Sequence, residues 1–220
     1  MTPDYFLQKL YPLQDDVLHI ITRAKVGLYL TGGTALSRGY LFHRFSDDLD
    51  LFTNLNSNFA EWCQKIISDL REVKAWQVEI QRFQSHFVRF FVTREDVILK
   101  VECVNDVPSH IGEITDHPTL GRLDSPENII ANKVTALLNR EEPKDLADVW
   151  GLHYKLGLSL KKALTDADSK AVGIFPAYLA KRLFNITYKD WEAVRWIAPP
   201  DPDQYIRELK TLAESLILVE

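Results

Sequence analysis

Two carboxylates one residue apart, Asp48 and Asp50, lie in the segment Asp48-Leu49-Asp50-Leu51-Phe52. Side chains alternate along a strand, so both acids share a face while Leu49 and Leu51 turn into a core. Their Cα atoms fall about 6.6 Å apart, two strand rises, close enough for both carboxylates to converge on one hard cation. Two acids on one face repel unless a cation or an arginine compensates them. That favours a functional pair over an acidic strand edge that only discourages aggregation. Upstream, the apolar segment 28–31 breaks at Gly32-Gly33, and Thr34 can cap a helix continuing through Ala35, Leu36 and Tyr40. A strand, a glycine turn and a helix start together offer backbone N–H groups and a positive dipole end, which suit a phosphate. Phosphate cradle and metal-binding carboxylates thus belong to one βαβ-like unit, although the glycine pair alone fits a tight strand-to-helix turn equally well.

Gly32-Gly33-Thr34-Ala35-Leu36, followed by His43-Arg44-x-Ser46-x-Asp48-Leu49-Asp50-Leu51-Phe52, resembles the signature of the AbiEii/AbiGii-type nucleotidyltransferase toxin family. That family is part of the DNA polymerase β-like nucleotidyltransferase superfamily. Each half of the motif is common alone, and the order and spacing make the combination specific. The resemblance implies that Gly32, Gly33, Thr34, Arg44 and Ser46 bind a nucleoside triphosphate, and that Asp48 and Asp50 bind catalytic Mg²⁺ or Mn²⁺. It also implies a third carboxylate on a neighbouring strand, completing the metal site or serving as base. Glu102 is the candidate, because a mixed sheet that sets the Asp48/Asp50 strand beside the 87–104 hairpin brings it near. A Glu102 merely paired with Lys100 or another neighbour fits the pattern as well.

Ser125-Pro126-Glu127 marks a helix start, with Ser at the N-cap, Pro at N1 and an acid in the first turn. The helix over 126–140 carries Lys133 and Arg140 on a face offset from the Ile130/Val134/Leu138 stripe. The next helix, from Pro143, sets Asp145 and Asp148 on one face at i, i+3. The family is similar here too: a lysine on a helix after the sheet, an arginine, then a basic-Asp-x-x-Asp element. Lys133, Arg140 and Lys144-Asp145-Leu146-Ala147-Asp148 match it. By that resemblance Lys133 contacts the triphosphate, and Asp145 or Asp148 serves the catalytic centre or fixes its basic partners. For the aspartates, Arg140–Asp145 and Lys144–Asp148 ion pairs clamping two helices are an equal alternative. The alternative is weaker for Lys133, which has no acid four residues away on its own helix.

The 220 residues suffice for one large domain or two small ones, and 46% hydrophobic with 26% charged residues is an ordinary globular composition. No segment approaches the roughly 20 apolar residues of a membrane span, and the N-terminus lacks a secretory pattern. Cys63 and Cys103 have no metal or redox spacing and read as buried thiols of a reducing cytoplasm. No two of the six histidines have metal-ligand spacing. The net charge of −5 argues against salt-driven binding of nucleic acid over the whole surface.

Periodicity predicts a helix kinked or broken at Pro12 over 5–24, a helix over 59–73, and strands over 76–83, 87–94 and 97–104. Residues 105–123 read as a loop able to line the nucleotide site. Helices follow over 160–171, 176–184, 189–195 and 202–219. The expected fold is α+β: a nucleotidyltransferase mixed sheet flanked by helices in a catalytic core over 1–124, with a helical region over 125–220 completing the active site. The function implied is metal-dependent transfer of a nucleoside monophosphate from NTP to an acceptor hydroxyl with release of pyrophosphate. Family resemblance makes it the toxin of a toxin–antitoxin or phage-defence system, with tRNA or a protein as acceptor and a cognate antitoxin as partner. A small-molecule nucleotidyltransferase and a catalytically silent nucleotide-binding protein are the alternatives.

Overall fold

The computed structural model describes residues 2–168 and 176–217. A short helix α1 (Pro3–Tyr5) runs through a π-helical stretch, Phe6–Leu10, into α2 (Tyr11–Arg23). The helix therefore continues past Pro12, and the wider π turn lies just before the residue that lacks an N–H. Strand β1 (Tyr29–Thr31) leads into α3 (Gly32–Leu36) and a π-helical stretch, Ser37–Leu41, and then come β2 (Leu49–Asn54) and α4 (Phe59–Arg71). Three longer strands follow, β3 (Trp76–Phe83), β4 (Phe87–Arg94) and β5 (Val97–Asp106). The turn between the last two puts Glu95, a non-glycine residue, at φ 55°.

The segment expected to be a loop contains two short strands, β6 (Thr115–His117) and β7 (Gly121–Leu123). Three-residue strands flanked by Pro118 and Gly121 leave no periodic signal to read. The remaining elements are α5 (Pro126–Asn139), α6 (Pro143–Tyr154), α7 (Leu160–Asp168), α8 (Pro176–Phe184), α9 (Tyr188–Glu192) and α10 (Pro202–Ile217). The expected ends of two helices, at 169–171 and 218–219, lie outside the described residues. Among the described residues no helix is long and apolar enough to cross a membrane.

The chain divides into two compact units, Met1–Gly39 with Phe45–Ser125, and Tyr40–Arg44 with Pro126–Glu220. Sequence places one boundary near residue 124, whereas the folded chain also gives the short piece Tyr40–Arg44 to the helical unit.

The first unit is built on a mixed sheet in the order β3-β4-β5-β2-β1-β7-β6. β1 and β2 pair antiparallel, so the strand–helix–strand unit is not a βαβ crossover; β2 instead pairs parallel with β5. On one face Leu49, Leu51, Val88, Phe90, Val92, Leu99, Val101 and Cys103 are buried, as are Cys63, Ile66, Ile67 and Leu70 of α4. Cys63 and Cys103 are both free and buried. The Cys63 thiol and burial together hold Cys103 well above the usual thiol range, so Cys103 is not poised as a nucleophile.

In the second unit α5 and α6 pack on one another, and Trp150, Trp196 and Tyr205 meet edge to face with centroids 5.5–6.3 Å apart. Trp196 thus serves packing, as does Trp191, 6.3 Å from it.

Candidate active site

One row of residues crosses four strands of the sheet. Arg89 on β4 opposes Glu102 on β5, Glu102 opposes Asp50 on β2, and Asp50 opposes Thr31 on β1. Because strand side chains alternate, residues opposed in register share a face, so Arg89, Glu102 and Asp50 stand together on the face away from Leu49 and Val101. Glu102 therefore neighbours the aspartate pair.

Asp48 lies just before β2, and its backbone is held from several sides. The Thr34 hydroxyl donates to the Asp48 carbonyl at 2.5 Å and lies 2.9 Å from the Ser46 hydroxyl. Gln14 Nε2 donates to the Ser46 and Asp47 carbonyls at 3.2 and 3.0 Å, and Ser46 N–H donates to the Tyr11 hydroxyl at 3.2 Å. Thr34 and Ser46 are buried, so their side chains pin the approach to Asp48. Thr34 is also not a cap: the helix begins at Gly32 with Thr31 at the N-cap position. Gly32 has φ +67°, and a Cβ there would strike the Asp50 carboxylate. Glycine is needed twice over, for the left-handed backbone and for the close approach.

The carboxylates are compensated by two cations. Lys100 Nζ lies 2.9 Å from Asp48 Oδ2 and 3.5 Å from Glu102 Oε2, and Arg89 Nε and Nη2 reach Glu102 Oε1 at 2.5 Å. Burial works against the Lys100 charge, but the Asp48 bond and the charges of Asp48, Glu102 and Asp50 hold its pKa above the ordinary lysine value. Among the described residues no three His, Cys, Asp or Glu side chains are already gathered round one point as a metal centre. The donor set still fits a hard divalent cation: hard carboxylate oxygens from Asp48, Asp50 and Glu102, with an ammonium already bridging two of them.

Further along the sheet, the buried Asp124 accepts from the Thr31 hydroxyl at 2.5 Å and pairs with His110 Nε2 at 2.9 Å. This ties the segment before β6, through the residue that follows β7, to β1. Neither residue carries a local sequence signal, since the partners lie up to 93 residues apart. Ser125, expected as a helix cap, donates its hydroxyl to the Ile111 carbonyl. Arg38 spreads over the Tyr11 ring at 4.5 Å and pairs with Asp15 at 2.6 Å.

Within the helical unit Lys133 of α5, Asp145 and Asp148 of α6, and His43 and Arg44 form a buried cluster, with the exposed Arg140 at its edge. Lys133 Nζ lies 2.7 Å from Asp145 Oδ1 and 2.6 Å from Asp148 Oδ2. Arg140 Nε lies 2.7 Å from Asp145 Oδ2. Arg44, buried, grips Asp148 with Nε and Nη2, both at 2.7 Å. His43 Nε2 is 2.8 Å from the same carboxylate. The ion-pair alternative thus holds for Arg140 with Asp145 and extends to Lys133, while Lys144 is exposed and Asp148 is served by Lys133 and Arg44 instead. Lys133's partners come from the neighbouring helix and therefore leave no acid four residues away on its own. Arg44, expected beside the phosphates, has its guanidinium engaged by Asp148.

Burial alone would raise both carboxyl pKa values. The Arg44 and Lys133 charges hold Asp148 well below the carboxylate range, and those of Lys133 and Arg140 hold Asp145 below it. Burial would lower Lys133, yet Asp148 and Asp145 keep it above the ordinary lysine value. His43 is different. Burial, outweighing its bond to Asp148, lowers its pKa, so it donates Nε2–H as a neutral ring. Its buried Nδ1 has no hydrogen-bond partner among the described residues, so a proton there would be an unpaired donor.

A family model described as nucleotidyl transferase AbiEii toxin, type IV toxin–antitoxin system, matches residues 23–195. Solved structures share the fold. A Helicobacter pylori protein described as a nucleotidyltransferase superposes with a TM-score of 0.65 at 21% identity, covering 96% of each chain. JHP933 from the same species gives 0.65 at 20% identity, over 94% of this chain and 92% of its own. MenT4, a nucleotidyltransferase toxin of Mycobacterium tuberculosis H37Rv, gives 0.59 at 15% identity, over 96% of this chain and 84% of its own. No curated protein matches the sequence.

Proposed function

The chain belongs to the AbiEii nucleotidyltransferase toxin family and is a nucleotidyltransferase, and on that footing we propose that it moves a nucleoside monophosphate from NTP to an acceptor hydroxyl with the Asp48, Asp50 and Glu102 face as its catalytic centre. The observation that carries this reading is the register pairing of Asp50 with Glu102 beside the glycine turn that backs onto Asp50.

Asp48, Asp50 and Glu102 are the residues that would hold Mg²⁺. When bound, the ion supplies charge stabilisation for the transferring phosphoryl group and lowers the pKa of an attacking hydroxyl. The chain's own groups do the rest. The first-turn N–H groups that start at Gly32 have no partner within their helix and suit phosphate oxygens. The Thr34, Ser46 and Gln14 bonds fix the backbone that presents Asp48. Arg89 fixes Glu102 by one of its two oxygens. For Lys133 the reading is a contact to the triphosphate carried by the family resemblance alone, since its buried ammonium is paired with Asp145 and Asp148.

The biological role proposed is that of a toxin restrained by a cognate antitoxin, acting on a short nucleic-acid or protein acceptor. The net charge of −5 supports few phosphate contacts and so a short acceptor, such as the end of a tRNA, over processive tailing. The test is incubation with each α-labelled NTP, Mg²⁺ and total cell RNA or lysate. Label on a discrete RNA species supports the reading in full. Label on protein or on a small molecule moves the acceptor. Label on nothing, with any of the four nucleotides, ends the transferase assignment of this face.

A further inference from the structure

Lys100 stands two residues before Glu102 on β5, so the two side chains share the catalytic face. Its ammonium joins carboxylates from different segments, Asp48 ahead of β2 and Glu102 on β5, at 2.9 and 3.5 Å. Glu102 divides its oxygens: Oε1 takes Arg89, Oε2 takes Lys100. The two cations are not equivalent. Arg89 uses two nitrogens of a rigid fork on one oxygen, an orienting contact. Lys100 is a point charge on a flexible stem, with a side chain 30% exposed, and it can withdraw.

We propose that Lys100 is a tethered counter-cation for these carboxylates, seated on Asp48 and Glu102 until a divalent ion displaces it. The inference rests on the reading of Asp48, Asp50 and Glu102 as the metal ligands and adds a regulator of that site. An ammonium and a divalent ion cannot share the same oxygens, because like charges repel strongly at such separations in a partly buried site. Metal loading is therefore an exchange. The resident charge stabilises the metal-free face at the expense of apparent metal affinity, and the released ammonium becomes available to an anionic substrate group.

The test measures Mn²⁺ binding to the full chain by electron paramagnetic resonance, alongside melting without metal, for wild type, Lys100→Met and Asp48→Asn. The expected result is that Lys100→Met binds Mn²⁺ about tenfold more tightly than wild type, melts lower without metal, and gains more from Mg²⁺. Equal or weaker Mn²⁺ affinity in Lys100→Met, where Asp48→Asn abolishes wild-type binding, overturns the counter-cation while leaving the metal site standing. Wild-type binding absent, or indifferent to Asp48→Asn, sinks the metal-site reading and the inference with it. A second measurement needs no variant: acetylation of Lys100 in the wild-type chain, followed by mass spectrometry, should rise several-fold when Mg²⁺ is added. An unchanged rate in a chain that binds the ion refutes displacement.

Discussion

Gly32 and Asp50 approach so closely that no side chain fits between them: Gly32 stands at φ +67°, and its missing Cβ would collide with the Asp50 carboxylate. Thr31 and Asp50 are register partners, so the end of β1 brings the turn onto the acid. The glycine's conformation and the acid's position are one constraint. Gly32→Ala should cost about 1–3 kcal/mol of stability through the strained backbone and should also shift Asp50. Urea unfolding and Mn²⁺ affinity should therefore both worsen; unaltered values for both would show that the turn relaxes without disturbing the acid.

Asp48→Asn and Asp50→Asn should each lower transfer by roughly a thousandfold, the several kcal/mol that metal charge stabilisation supplies. The fold should survive. Asp48 loses a partly exposed ion pair with Lys100, worth about 0–1 kcal/mol, and relief of carboxylate repulsion offsets part of that. Labelled transfer and thermal melting on the same preparations check both halves. Wild-type transfer by the double variant would end the metal reading.

In the helical unit Asp148 should matter more to stability than Lys133. Asp148→Asn leaves Arg44 and Lys133 short of a buried counter-charge, a loss of about 3–5 kcal/mol. Lys133→Met keeps Asp148 paired with Arg44 and Asp145 paired with Arg140, so its cost should be clearly smaller. Nucleotide affinity of Lys133→Met, measured by calorimetry, should then fall by more than its stability explains. Equal destabilisation by the two substitutions, with nucleotide affinity intact, would make Lys133 purely structural.

The pH dependence follows from the same cluster. Asp148 has a folded pKa well below its unfolded value, so its contribution is present above the ordinary carboxylate range and is lost as pH falls through the depressed folded value. His43 has a folded pKa below the ordinary histidine value. Below about pH 6.5 the unfolded chain takes up a proton that the folded chain refuses, so stability declines there. Urea unfolding at pH 7 and 5.5 should show that decline in wild type and a flatter profile in His43→Gln. Parallel profiles would mean that His43 carries its charge in the fold.

Much of the sheet was legible from residues alone. Strands β3 and β4 run Trp76–Phe83 and Phe87–Arg94, where alternation places them, and in β4 and β5 one face is buried with period two. β6 and β7 were not legible, being too short to show a period.

The sequence by itself determined which residues are chemically suited to the work. Asp48 and Asp50 bracket a buried leucine, Lys100 and Glu102 alternate with buried neighbours, and Gly32 precedes a helix. Those are local facts, fixed by backbone geometry over a few residues. Partnership is not local. Only the tertiary structure decided that β1 and β2 run antiparallel, that Glu102 opposes Asp50, that Thr34 and Ser46 point inward to hold Asp48, and that Arg44 and His43 close on Asp148, about 100 residues away. Such pairings depend on which charges can be buried together, and burial is settled by the packing of the whole unit and not by any one segment.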